Sequence, residues 1–445
     1  MTATDVKAEP KTGCPMSDAD ALLAHGSLID PEISAHPKPY YDAMRAADPV
    51  HYDEKLGSYL VSRFEDIQTI QRDPITYSVK HGFEAQYAKG FQDEFKAILE
   101  ADGGGFFPDA IMSDPPYHTT VRRLMESAFT AHRVKALEPG IRDIVVDIIE
   151  TMIAKAKAGE PIDAVKDFGV PITIRVICEQ LGIDQYNADN IQRWSHAVTQ
   201  QIGAMQNRDQ MLGFAREICE LQNFLIAEIR KREAAPSEDM ISDLVHATTN
   251  DPEHPKLTFK EVVSLVRATM IAGNETTATG MANLVYVLAT QPKVLGLLQD
   301  SVDDDRLMSR FVEELLRIEP PVRALSRMTT KEVELGGKVL PEGAHLLLVY
   351  ASANDDESEF TCPRDFDMTR GNLGRHVSFG GGPHKCIGLA LARMEIRVAA
   401  REVIRRLDDI KLAIAPDDIK FMPTVATRSI ERLPITFTHR TVETA

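Results

Sequence analysis

The chain has 445 residues, with 50 basic and 67 acidic side chains and a formal net charge of −17, so nucleic-acid binding has no electrostatic support. Nowhere do about eighteen apolar residues run together, and residues 1–16 lack the apolar core of a signal peptide, so no membrane span or anchor is expected. Five cysteines are an odd count in a long chain; they suit a reducing compartment, and a cytoplasmic location is expected.

In chain order, residues 1–20 read as a disordered tail and 21–445 as a single unit. Strand-like pieces at 50–52 and 58–62 flank Gly57 and read as a hairpin. From about 64 to 316 the texture is helical, with apolar residues at three- and four-residue spacing over 141–156 and 214–232. The run Gly103-Gly-Gly-Phe-Phe-Pro-Asp interrupts it as a loop. Asp114 followed by Pro115 and Pro116 reads as a helix start, with Asp114 as its N-cap. A long helix is expected over about 258–288, and an apolar one over 311–318, stopped by Pro320-Pro321. Beyond the prolines come a Gly336-Gly337 hairpin, a buried strand from His345, and a polar coil over 354–375, of a length that usually carries function. The chain closes with a glycine-rich loop, a helix and strand-like pieces around 433–437. The sum is a mainly α protein with small sheets at one side.

That last loop, Phe379-Gly-Gly-Gly-Pro-His-Lys-Cys386-Ile-Gly388, is the most informative stretch. A cysteine at a helix start meets unpaired N–H groups and the positive dipole end, which favour thiolate. Gly380 to Gly382 and Gly388 remove side chains where a flat group could press on the backbone. A thiolate held so suits an axial ligand of haem iron. A plain loop with a packed cysteine would read similarly. Zinc at His384 and Cys386 fits less well, because no second Cys/His pair lies nearby.

Ala272-Gly-Asn-Glu-Thr-Thr277 places polar groups in the middle of the long helix. Ala272 and Thr276 share a face at i, i+4 and could form a groove, with Glu275 and the hydroxyl relaying protons. A glycine kink with threonine back-bonding would look alike. Glu314 and Arg317 stand at i, i+3; a buried pair there would need backbone partners, which the 354–375 coil is placed to supply. His118 and Arg122 share a helix face, Arg327 follows the Pro-Pro stop, and His384 precedes Cys386; such donors suit a pair of carboxylates, although each alone reads as a surface charge.

Together these segments resemble a cytochrome P450 of the soluble bacterial type, over about residues 39–437. Phe379, Gly382, Cys386 and Gly388 match the cysteine signature, Glu314 and Arg317 the buried Glu-x-x-Arg pair, and Ala272, Gly273, Glu275 and Thr276 the acid–alcohol motif. His118, Arg122, Arg327 and His384 match positions that bind haem propionates. The resemblance implies a mainly α, triangular fold with haem b between the long helix and the cysteine helix, and Cys386 as axial ligand. It implies a monooxygenase that inserts one atom of dioxygen into a lipophilic small molecule, with protons moved by Glu275 and Thr276. Thr276 is favoured over Thr277 because it directly follows the acid. Electrons would come from a ferredoxin or flavodoxin with an NAD(P)H-dependent reductase, docking near Arg123, Arg133 and Lys385. The substrate pocket would include Phe106, Phe107, Met112, Met205, Thr269, Ala272, Val322, Ala324 and Leu325, with a late turn at 424–427, and Arg323 is a candidate for a substrate carboxylate, a propionate or solvent. Rival readings are a peroxide-driven haem-thiolate enzyme, for which Arg267 lies too far back, and a non-catalytic haem sensor.

Overall fold

The computed structural model describes residues 18–203, 205–249 and 255–440. The tail expected to be disordered, 1–20, lies outside the described residues as far as 17; residues 18–20 instead open a helix, Asp18–His25.

The fold is organised around one helix, Phe259–Thr290, of 32 residues, which spans ~48 Å. Thr258 and Glu261 close its N-terminus as a reciprocal capping box. Almost every turn is buried, as expected of a helix apolar all round. The least covered positions near its middle are Ala268, Ala272, Gly273, Glu275 and Thr276. Ala268, Ala272 and Thr276 recur every four residues and so lie on one open face.

Two helical cores hold this helix. Its C-terminal half packs with Glu138–Lys157, Asp305–Ile318 and Leu389–Arg406. On Glu138–Lys157 the buried side chains Ile141, Ile144, Val145, Ile149 and Met152 follow the helical period that the sequence displays. Its N-terminal half packs with Val170–Leu181, Ala188–Gln200 and Arg208–Ala234.

A five-stranded sheet lies to one side, in the order Val50–Asp53, Ser58–Val61, His345–Val349, Ala324–Thr329, Tyr77–Ser78. Ser58–Val61 runs parallel to His345–Val349, and the other pairings are antiparallel. Gly57 turns the first hairpin at φ 65°, and Gly336 and Gly337 turn the hairpin Val333–Leu335 with Lys338–Leu340 at φ 57° and 79°. The sheet covers a third core of Val61, Phe64, Ile67, Leu346, Leu348 and Phe360.

One capping expectation is corrected. Asp114 precedes the helix Tyr117–Glu126, but its carboxylate accepts from Ser78 Oγ and from the Val79 and Lys80 N–H groups. It therefore caps a different helix, Val79–Gln86, because that N-terminus presents unpaired donors to it across the fold.

Candidate active site

The cysteine loop is anchored at its start by the polar coil. Asn354 Oδ1 accepts from Val377 N–H at 2.8 Å, and Asn354 Nδ2 donates to Ser378 Oγ at 2.8 Å. The loop then closes on itself, with Cys386 N–H donating to the Phe379 carbonyl at 2.9 Å. The Arg393 guanidinium lies 4.7 Å from the Phe379 ring centroid.

The glycines divide by role. Gly380 and Gly382 adopt left-handed φ of 64° and 61°. A Cβ on Gly381 or Gly382 would collide with Gln71, whose helix Phe64–Arg72 presses on the loop. Gly381 therefore faces the Gln71 side chain and Gly382 its backbone, rather than a flat ligand, which corrects the expectation for them. At Gly388 an added Cβ would meet only the Phe129 ring, at 3.9 Å.

Cys386 also departs from expectation. The helix begins at Leu389 with Gly388 as its cap, so the cysteine lies two residues before the cap. Burial pushes its thiol up, against the opposing pull of the Gly388 N–H, Arg122 and Arg393. Desolvation outweighs the pull of the helix start.

Beside the cysteine sits a cluster of cationic and imidazole groups. The His118 and His384 rings stack with centroids 3.9 Å apart. His118 Nδ1 and His384 Nε2 are buried with no hydrogen-bond partner among the described residues. Burial, then His118, Arg327 and Arg122, push His384 down to about 3, and burial with Arg122 pushes His118 down. Arg327 is buried, donates to the Ser326 carbonyl at 2.6 Å and pairs with no carboxylate among the described residues. Arg122 donates to the Lys385 carbonyl at 2.6 Å and pairs with Glu126 at 3.0 Å. Arg122 reaches both His384 and Cys386 electrostatically, so these groups form one neighbourhood. Buried donors lacking acceptors call for an acid from outside the chain. The donor set fits a group carrying carboxylates next to a soft sulfur ligand.

On the central helix, Thr276 Oγ1 donates to the Ala272 carbonyl at 2.9 Å, and both residues lie on the open face. Thr277 is buried behind them. Glu275 keeps some exposed surface but is enclosed by surrounding protein; it has no ion-pair partner among the described residues, and desolvation alone pushes its carboxyl up to about 7. Gly273 serves close packing, since a Cβ there would meet Ile177 Cδ1 at 2.9 Å.

Glu314 and Arg317 form a fully buried two-point pair, with both N···O distances 2.8 Å. The coil supplies the partners: Arg317 donates to the Asn354 carbonyl at 2.8 Å, and Asp367 N–H donates to Glu314 at 2.9 Å. A second cation, Arg370, donates to the same carboxylate at 2.9 Å. Nothing in the local sequence marked Arg370.

The cytochrome P450 family model matches residues 102–412. Cytochrome P450 107B1 of Saccharopolyspora erythraea is 31% identical over 386 residues, covering 85% of this chain and 89% of that protein. The 6-deoxyerythronolide B hydroxylase of the same organism is 32% identical over 349 residues, 78% of this chain and 83% of that one. The solved structure of cytochrome P450 CREJ in complex with (4-ethylphenyl) dihydrogen phosphate superposes with a TM-score of 0.82 at 30% identity, covering 91% and 98% of the two chains. The chain belongs to the cytochrome P450 family. It is a monooxygenase, and its cofactor is haem b.

Within this P450 the candidate pocket residues do not all behave alike. Phe106 packs on Tyr87 with ring centroids 5.1 Å apart, Phe107 packs on Tyr117 at 5.9 Å, and Met112 belongs to the cluster with Phe106. Val322 and Leu325 are half-buried against the sheet core, and Met205 lies half-buried where the chain enters Arg208–Ala234. Two are corrected. Thr269 turns its hydroxyl to the Leu265 carbonyl at 2.8 Å and is covered, and Ala324 is buried where its N–H pairs with the Ala426 carbonyl.

Arg323 is also corrected. It is fully buried and donates to the Val425 and Thr424 carbonyls and to Ser34 Oγ. It knits the 424–426 turn to the N-terminal segment instead of facing a ligand. Arg267 is engaged by Gln222 at 2.6 Å and Ser264 at 3.3 Å. Of the three expected docking cations, Arg123 and Lys385 are exposed, whereas Arg133 pairs with Asp243 at 3.0 Å. Sequence reasoning missed Glu395, buried on the helix after the cysteine, whose carboxyl burial pushes well above its ordinary range. A glutamate among Met394, Ile396 and Val398 was the available signal. Among the described residues no single helix is long and apolar enough to cross a membrane.

Proposed function

We propose that this P450 hydroxylates a lipophilic small molecule, with Cys386 as the iron ligand and His118, Arg122, Arg327 and His384 holding the haem carboxylates. Haem, when bound, supplies dioxygen activation, and a thiolate ligand favours O–O cleavage. The carrying observation is the acid-poor cluster beside Cys386, with two buried imidazole nitrogens that have no hydrogen-bond partner among the described residues. Ala272 and Gly388 add room on the two sides, since neither is crowded by protein. Thr276 presents a hydroxyl on the open helix face, and Glu275 is balanced between its protonated and ionised forms near neutrality. The pair would pass protons from solvent to the reacting oxygen. Glu314, Arg317 and Arg370 brace the coil from which the cysteine loop departs.

Electrons would arrive from a ferredoxin or flavodoxin with its NAD(P)H-dependent reductase, at a face bearing Arg123 and Lys385. Phe106, Phe107, Met112, Val322 and Leu325 give the pocket an apolar lining, which suits a lipophilic substrate.

The test is spectroscopic. Purified protein supplied with haem, reduced and treated with carbon monoxide should give the thiolate-ligated spectrum, and Cys386→His should convert it to the nitrogen-ligated one. A wild type that stays colourless, or that already shows nitrogen ligation, sinks the reading. A panel of 6-deoxyerythronolide B, (4-ethylphenyl) dihydrogen phosphate, progesterone and limonene, scored by spin-state shift, then addresses substrate class.

A further inference from the structure

The acid–alcohol segment contains one polar residue that turns away from the open face. Asn274 is buried at 2% exposure. At 3.6 residues per turn it lies about 160° around the helix from Thr276. Its amide is bonded at both ends. Thr173 Oγ1 donates to Asn274 Oδ1 at 2.7 Å, and Asn274 Nδ2 donates to Ser195 Oγ at 2.8 Å. Thr173 and Ser195 show no exposed surface and belong to two different helices, Val170–Leu181 and Ala188–Gln200.

This polar trio sits in an apolar interface of Ile174, Ile177, Ile191, Trp194, Met270 and Ile271. Stability does not require it, because replacing both partners of a buried hydrogen bond by apolar groups is often neutral. Apolar packing is non-directional, however, and tolerates small rotations. A rotation of roughly 20° about the helix axis would carry an atom ~5 Å from that axis by nearly 2 Å, enough to break a hydrogen bond. Packing is tight on the same side. A Cβ on Gly169 would meet the carbonyl of Ala278, one turn along the helix from Asn274, at 2.9 Å.

We propose that Asn274 is a positioning residue for the Glu275–Thr276 pair: its two side-chain bonds fix the rotation of the central helix, so that Thr276 and Ala272 present the open face. The Ser195 bond also ties that rotation to the helix leading to the 201–203 turn, where Gln201 and Ile202 carbonyls accept from Ala88 N–H at 3.0 Å and from Gln86 Nε2 at 2.8 Å. The register of the relay and the position of the segment next to the aromatic loop are thereby linked. This rests on the reading of Glu275 and Thr276 as the proton relay.

The test uses the haem-loaded enzyme with a ferredoxin and its reductase, and 6-deoxyerythronolide B or progesterone as probe, whichever shifts the spectrum more. The variants are Asn274→Leu, Ser195→Ala, and the triple Thr173→Val, Ser195→Ala, Asn274→Leu. The triple variant should unfold at wild-type denaturant concentration and bind the probe with unchanged affinity. Its product formed per NADPH should nonetheless fall at least about threefold, with hydrogen peroxide taking up the difference. Ser195→Ala, which keeps one of the two bonds, should fall less. A folded triple variant with wild-type product per NADPH overturns the proposal, since Asn274 would then only pack. Thr276→Ala separates the two claims: if it also leaves that ratio unchanged, the relay reading fails; if it alone lowers the ratio, only the positioning role fails.

Discussion

Replacing Glu275 with glutamine should change how the stability of the enzyme depends on pH. Burial pushes this carboxyl from its ordinary 4.5 up to about 7. Between those values the folded state holds a proton that the unfolded chain has lost. Stability therefore falls as pH rises through this window and levels off above it. The full gap is worth on the order of 3 kcal/mol, most of which falls between pH 5 and 8. Glu275→Gln removes the titration while keeping the shape. Its stability relative to wild type should climb by roughly 2–3 kcal/mol from pH 5 to pH 8. Urea denaturation at four pH values, followed by the fluorescence of the single tryptophan Trp194, measures this. Any pH-independent effect of the substitution cancels in the comparison. A difference that stays flat across the window would show that Glu275 titrates as in water, and would remove the argument that burial holds a proton there. The corresponding functional expectation is that product per NADPH in the wild type declines above about pH 7, as the protonated form is depleted.

Four further outcomes are expected. Glu314→Gln leaves Arg317 and Arg370 buried without their carboxylate, and should cost about 3–5 kcal/mol in denaturation experiments; a loss under about 1 kcal/mol would contradict the triad's role. Arg323→Met should cost less, about 1–3 kcal/mol, because it strands neutral carbonyl and hydroxyl acceptors and no charge partner, and it should speed amide exchange within 424–426. Gly382→Ala should damage the apoprotein, since a Cβ there collides with Gln71. Gly388→Ala should leave apoprotein stability within about 0.5 kcal/mol yet lower haem retention, measured as the absorbance ratio after gel filtration; equal retention would show that Gly388 does not border the cofactor.

What the sequence disclosed tracks how local each determinant is. The hairpin turns at Gly57 and at Gly336 and Gly337 are legible because the backbone demand falls on the residues themselves. The central helix is legible because a mostly apolar run without a single proline extends through its 32 residues. Sites whose partners lie far along the chain are not. Asp114 sits where a cap of its own helix belongs, yet it caps one that lies 35 residues earlier. Arg370 completes the Glu314 pair from 56 residues away, and looks locally like any charge in a polar coil. Arg323 reaches back 289 residues to Ser34. The choice between Thr276 and Thr277 rested on adjacency to the acid, whereas the physical distinction is the shared face of Ala272 and Thr276.

Cys386 and Asn274 show why the remaining gaps occur. Helix-end electrostatics can be written down from sequence order, and for Cys386 they point to thiolate. Desolvation depends on what every other segment brings around the sulfur, and in the folded chain it is the larger effect. Asn274 is the converse case. Its neighbours in sequence mark a reactive segment, but the side chain faces two helices whose contributing residues lie 101 and 79 positions away. A motif therefore reveals which residues can meet a ligand. What fixes their angle toward it is a polar contact on the opposite face, invisible until the helices that make it are packed.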